Sequence, residues 1–145
     1  METQQSFGKR TIKLSKRIRK ILDERIVNER SFGLPPIQAR VVGFLPHHEN
    51  ATASDIMDAF SLSKSSVSEI LGALVEKGLI TYERCDDDSR KRAIELTYEG
   101  LEVSRALAER LRAFDQELVK GVTEEDLETA FRVFDIVRKN LEDAE

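Results

Sequence analysis

Apolar residues recur at three- and four-residue steps along most of this chain, with one short interval where the period falls to two. Leu14, Ile18, Ile21, Leu22 and Ile26 keep the helical step through residues 9–30 and predict one long helix with a core-facing stripe. Gly33-Leu34-Pro35-Pro36 then breaks the pattern. Proline is tolerated in a first helical turn, so a second helix is predicted to start near Pro36, with Ile37, Val41, Phe44 and Leu45 inward and Pro46 helping to end it. Thr52-x-x-Asp55 has the form of a capping box and opens a short third helix, whose Ile56 and Phe60 face inward. After a tight turn, the Ser63 hydroxyl can accept from the free amides of a fourth helix. Its Val67, Ile70, Leu71 and Leu74 form a buried face, and Ser65, Glu69, Gly72 and Glu76 project opposite, with Ser68 beside them. Gly78 is the natural stop.

The period of two follows. Ile80, Tyr82 and Arg84 alternate with Thr81 and Glu83, and Arg92, Ile94 and Leu96 alternate with Ala93, Glu95 and Thr97, predicting a hairpin around an Asp/Ser-rich loop. Helical spacing returns over residues 98–120 through Leu101, Leu107, Leu111, Phe114 and Leu118. Gly121-Val122-Thr123 breaks it, and Thr123 with the acids after it caps a final helix striped by Leu127, Phe131, Phe134 and Val137. The fold class expected is mainly α with a small β-hairpin, in one domain spanning 1–145.

Charge complicates the choice of partner. The net charge of −4 argues against nucleic acid until it is located. Residues 1–60 carry 10 Lys+Arg against 7 Asp+Glu, residues 61–92 balance at 6 and 6, and residues 101–145 carry 7 against 12. The acid sits near the C-terminal end and leaves earlier surfaces free to be locally basic. Seven cations from Lys9 to Lys20 crowd the first helix, as a solvated face or as a surface near phosphate. No apolar run reaches the roughly 20 residues of a membrane span, so no membrane partner is expected. The start METQQSFGKR lacks the apolar stretch of a secretion signal. Cys85 has no second cysteine to pair with, which fits a reducing, cytoplasmic setting.

Short helix, tight turn, helix and hairpin in that order describe a helix-turn-helix followed by a wing. The second helix of such a motif presents its N-terminal residues to base edges in the major groove. Here those are Ser63, Lys64, Ser65, Ser66, Ser68 and Glu69. Serines are short enough for close backbone approach and can donate or accept to phosphates and bases, and Lys64 adds charge. Glu69 only accepts, which suits a cytosine amino group or the orientation of a basic neighbour. One N-cap accounts for one serine and not for five. Arg90, Lys91 and Arg92 lie just past the wing tip, where a narrow minor groove attracts guanidinium groups. Asp86-Asp87-Asp88 lacks the alternating ligand spacing of a calcium loop and reads as turn residues. His47-His48-Glu49 reads as a polar loop with zinc as the alternative.

Residues Leu34 to Leu101 resemble the MarR family of winged helix-turn-helix transcription regulators. Gln38 after a Leu-Pro entry, LSKSSVSEILGALVEKGLI and DDSRKRAIELTYEG carry the resemblance, the last matching the family's Asp-x-Arg wing followed by Leu-Thr and Gly. The resemblance implies a homodimer whose dimerisation helices are residues 9–33 and 98–145, flanking a DNA-binding lobe at 34–97. It implies double-stranded DNA as partner, with Arg90 as the wing arginine and Asp88 as the aspartate that steadies it, and regulation most simply by repression. Many members release DNA on binding a small phenolic or amphipathic effector. No cofactor is implied. Cys85 falls on the wing, away from the N-terminal helix where peroxide sensors of the family keep their thiol. Ser65-Ser66 stands where many relatives have Ser-Thr, and Glu69 where many are basic or polar, which bears on the sequence recognised.

The competing class is a winged helix that contacts only proteins. That use calls for an apolar exposed helix face, which Ser65, Ser68 and Glu69 do not supply. An enzyme finds no support either: no nucleophile–histidine order, phosphate-cradling glycine loop or catalytic carboxylate pair is recognisable.

Overall fold

In a computed structural model, residues 6–27, 32–82 and 92–145 are described. Helix α1 (Phe7–Leu22) continues into a π-helical turn (Asp23–Val27); then come α2 (Pro36–Phe44), a 3-10 turn (Leu45–His47), α3 (Ala53–Phe60), α4 (Lys64–Glu76), strands β1 (Ile80–Thr81) and β2 (Glu95–Leu96), α5 (Tyr98–Leu118) and α6 (Glu124–Ala144). The expected class, mainly helical with one hairpin, is the class found.

Local signals fix most boundaries. Thr52 and Asp55 form the capping box in full: the Thr52 hydroxyl accepts from the Asp55 amide at 3.3 Å, and the Asp55 carboxylate accepts from the Thr52 amide at 2.8 Å. Ser61, at φ 52°, ends α3 in the left-handed region. Two residues later Ser63 starts α4. Helix α4 ends on Gly78, at φ 73°, with the Leu79 amide donating to Leu74 O (3.0 Å) and the Gly78 amide to Val75 O (2.9 Å). These bonds satisfy carbonyls that the helix end would otherwise strand.

The core lies in the winged lobe. Val41 and Val42 of α2, Ile56 of α3, Val67, Leu71 and Leu74 of α4, and Ile80 of β1 are its largest fully enclosed side chains. The hairpin pairs Ile80 with Leu96 and Thr81 with Glu95, antiparallel. On its far edge the Ile94 amide donates to Ala51 O at 2.7 Å, tying the hairpin to the entry of α3. Thr97 joins three elements: its amide donates to Leu79 O, its hydroxyl donates to Gly78 O at 2.6 Å and accepts from the Gly100 amide at 3.0 Å. The first turn of α5 is thereby drawn onto the end of α4.

Two expectations need correction. The N-terminal helix expected over residues 9–30 leaves α geometry after Leu22 and continues as a π-helical turn to Val27, and residues 28–30 lie outside the described residues. Its stripe is not core either: Leu14 is 57% exposed, Ile18, Ile21 and Leu22 are half-buried, and α1 has no buried residue. Helix α6 likewise buries none of its residues, with Phe131 and Phe134 at least half exposed. Amphipathic spacing identifies a face that needs covering but does not say which surface covers it. The described ladder is two residues per strand, and the remainder of the first predicted strand, Glu83 and Arg84, lies outside the described residues. Compactness divides the chain inside α5, into units of residues 1–111 and 112–145.

Candidate nucleic-acid interface

Helix α4 exposes the residues that the sequence singled out. Ser63, Lys64, Ser65, Ser68 and Glu69 are exposed and Ser66 is half-buried. Their exposure follows from the buried face, since Val67, Ile70, Leu71 and Leu74 turn the opposite side outward. Ser63 does more than cap. Its hydroxyl accepts from the Ser66 amide at 3.2 Å, donates to Ser66 Oγ at 2.9 Å and lies 3.2 Å from Ser65 Oγ. The cap therefore engages three serine hydroxyls where sequence reasoning assigned it one. Lys64, Ser68 and Glu69 complete the outward surface of the first two turns.

The outward charge is modest. Lys64 is offset by Glu69, and Lys77 by Glu76, so the favourable potential at this end comes from the α4 N-terminus, whose free amides carry partial positive charge. Lys77, at the other end of α4, donates to Gln38 Oε1 at 2.7 Å and so ties the start of α2 to the end of α4. At the base of the wing, the Arg92 guanidinium lies over the Tyr82 ring, 5.8 Å from its centroid. Asp88, Arg90 and Lys91, like Cys85, lie outside the described residues.

His48 has a structural role. Its ring stacks on Phe44, centroids 3.6 Å apart, and its Nδ1 lies 3.0 Å from Phe44 O. The geometry calls for the proton on Nδ1, since the carbonyl can only accept. Among the described residues no group of three or more His, Cys, Asp or Glu side chains is placed to hold a metal ion.

A second feature lies away from the outward face of α4. A cleft of about 270 Å³ opens between the end of α1, α2, Phe60 of α3 and the first half of α5. Leu22, Phe44, Phe60, Leu107 and Leu111 give it apolar walls. Its polar side holds Arg19 and the ion pair between Arg40 and Asp23, in which Arg40 Nη2 donates to Asp23 Oδ2 at 2.5 Å. Phe44 makes edge contact with Phe60, centroids 5.5 Å apart, which links the cleft wall to the helix preceding α4.

The model of the MarR family matches residues 32–91, from the entry of α2 through the wing. The winged-helix lobe is thus similar to the MarR family. Solved structures share the fold. Staphylococcus aureus MarR in complex with salicylate and kanamycin superposes with a TM-score of 0.81 at 20% identity, over 96% of this chain and 92% of that one. The S. aureus MepR–DNA complex gives 0.73 at 24% identity, over 95% and 99%. Streptococcus pneumoniae FabT in complex with DNA gives 0.76 at 17%, over 95% and 96%. At these identities the likeness establishes the fold. No helix among the described residues is long and apolar enough to cross a membrane.

Proposed function

We propose that this chain is a sequence-specific, double-stranded-DNA-binding transcription regulator, a repressor acting as a homodimer on a pseudo-palindromic operator. The observation that carries the reading is α4: a helix buried on one side, whose hydroxyl-rich, lysine-bearing N-terminus exposes Ser63, Lys64, Ser65, Ser68 and Glu69 beside a hairpin. That is the form of a major-groove reader. The MepR and FabT structures are DNA complexes of the same fold, which supports the reading. Ser63, Lys64, Ser65, Ser66, Ser68 and Glu69 meet the major groove, and Arg90, with Lys91 and Arg92, reaches the minor groove while Asp88 steadies it.

The homodimer is supported by apolar surface that a single chain leaves open. Phe7 and Leu14 of α1 and Phe131, Phe134 and Leu141 of α6 are all about half exposed or more. Contiguous apolar faces of this kind mark protein–protein contact. The cleft is the place for a small amphipathic or phenolic effector that releases DNA. Salicylate in the S. aureus MarR complex supports that class of ligand.

A fluorescence-anisotropy titration of a bound duplex over a range of salt tests the DNA assignment. Arg90→Ala and Lys64→Ala should each weaken binding about tenfold and reduce the slope of log affinity against log salt by about one. Unchanged affinity and slope in both variants would refute the contact assignment.

A further inference from the structure

Strand β2 leads directly into α5, and Thr97 is the residue between them. Its amide donates to Leu79 O at 3.0 Å, one step beyond the Ile80–Leu96 pair, so the ladder continues to the end of α4. The Thr97 hydroxyl works in two directions. It donates at 2.6 Å to Gly78 O, in the turn that ends α4, and accepts at 3.0 Å from the Gly100 amide in the first turn of α5. A single oxygen thus joins the C-terminal end of one helix to the N-terminal end of another, and each bond polarises and strengthens the other. The contact is close as well as polar, since a Cβ on Gly100 would fall 1.9 Å from Leu79 O. Elsewhere on the hairpin, the Ile94 amide holds β2 to Ala51 O. The Thr97 hydroxyl is therefore the bond that pins the terminus of α4, rather than β1, to the base of the wing.

We propose that Thr97 is a positioning residue for DNA binding, whose hydroxyl sets the angle between α4 and the wing. The inference rests on the DNA-binding reading and gives a role to a residue outside its contact set. Both elements have to meet one duplex together, α4 through its N-terminal serines and Lys64, the hairpin through its basic residues. Helix α4 has 13 residues, about 20 Å of helix, so its reading end stands a helix length from the joint. With Gly78 O released, α4 can tilt on Val67, Leu71 and Leu74, which stay buried, while β2 remains tied to Ala51. The fold survives that tilt, and the fit of helix and wing to the same duplex does not.

The experiment measures fluorescence anisotropy of a duplex carrying the sequence enriched from genomic DNA, well below the melting temperature, with folding of each full-chain variant checked by circular dichroism. Thr97→Val keeps the size of the side chain and the amide bond but removes both hydroxyl bonds, and should bind about tenfold more weakly than wild type. Thr97→Ser keeps the hydroxyl and should bind within about twofold of wild type. In the Thr97→Val background, Arg90→Ala should cost less than about threefold, because α4 then seats without the wing, while Lys64→Ala keeps its full effect of about tenfold. A purely structural role would lower the melting temperature and leave these affinities and their coupling unchanged. A folded Thr97→Val that binds like wild type overturns the inference, as does an undiminished Arg90→Ala effect in its background. A loss of about tenfold in Thr97→Ser overturns it too, and decides where Thr97→Val does not fold. Wild type that binds no duplex removes the regulator reading and this inference together, whereas wild-type binding with the Thr97 variants unaffected removes the inference alone.

Discussion

Replacing Gly100 by alanine lowers the melting temperature by roughly 10 °C, the shift expected for a loss of about 3 kcal/mol in a domain of this size. A Cβ at this position falls 1.9 Å from Leu79 O, 2.9 Å from Leu79 C and 3.1 Å from Leu96 Cδ2. The first of these neighbours is backbone, fixed at the junction of α4 and β1 by the Thr97 amide that donates to it. Relief requires α5 to lift from the wing or the α4 end to shift, and overpacking of this kind costs about 1–3 kcal/mol or more. Helix propensity alone predicts the opposite sign, since alanine exceeds glycine by about 1 kcal/mol inside a helix. Thermal denaturation followed by circular dichroism separates the two. An unchanged or raised melting temperature would show that α5 is free to move away.

Opposite charge reversals on α1 and α6 should abolish homodimers separately and restore dimers when mixed. Helix α1 carries seven Lys or Arg and no acid, while the other residues of the chain hold 16 Lys+Arg against 27 Asp+Glu. Arg10, Lys13, Arg17 and Lys20 flank its apolar stripe at helical spacing. Crowded this closely, like charges at three- and four-residue steps repel one another, and a partner of opposite charge relieves them. On α6 the exposed Glu128, Asp135 and Glu142 form a column beside the stripe of Phe131, Phe134 and Leu141. If α1 of one protomer meets α6 of its partner, reversing the four α1 cations to Glu sets acid against acid. Reversing the three α6 acids to Lys sets base against base. Like-charge contacts at an interface cost several kcal/mol, so each variant alone should dimerise at least about 100-fold more weakly than wild type. In the mixed dimer both contacts are again opposite in sign. Sedimentation velocity reads the outcome directly. Variants that both dimerise like wild type would show that charge plays no part, and a mixture that stays monomeric would exclude pairing between chains.

What could be read in the sequence and what could not divide along physical lines. The Thr52–Asp55 box, the Ser63 cap and the Gly78 stop were legible because each bond spans a few residues and depends on residue chemistry alone. The buried face of α4 was legible for the same reason, and with it the exposure of Lys64, Ser68 and Glu69. Gly100 was recognisable only as part of a motif. The need for glycine comes from the Leu79 carbonyl, 21 positions earlier, and only the folded chain brings the two together. The Asp23–Arg40 pair spans 17 residues and two helices, and neither residue stands out from the many charges around it. The stripe on α1 was read correctly as apolar and wrongly as core, because periodicity carries no information about what covers a face. The engagement of Ser65 and Ser66 by the Ser63 cap escaped for a subtler reason: hydroxyl rotors choose their partners only once the backbone of the first turn is set.

Selection of bound fragments from genomic DNA with the purified full chain at physiological salt tests the central claim most directly. The account predicts enrichment of one pseudo-palindromic sequence whose half-sites lie about one helical turn apart, the spacing of two α4 helices related by a twofold axis. Enrichment of no duplex above background would contradict it, and would turn attention to the winged lobe as a surface for protein partners.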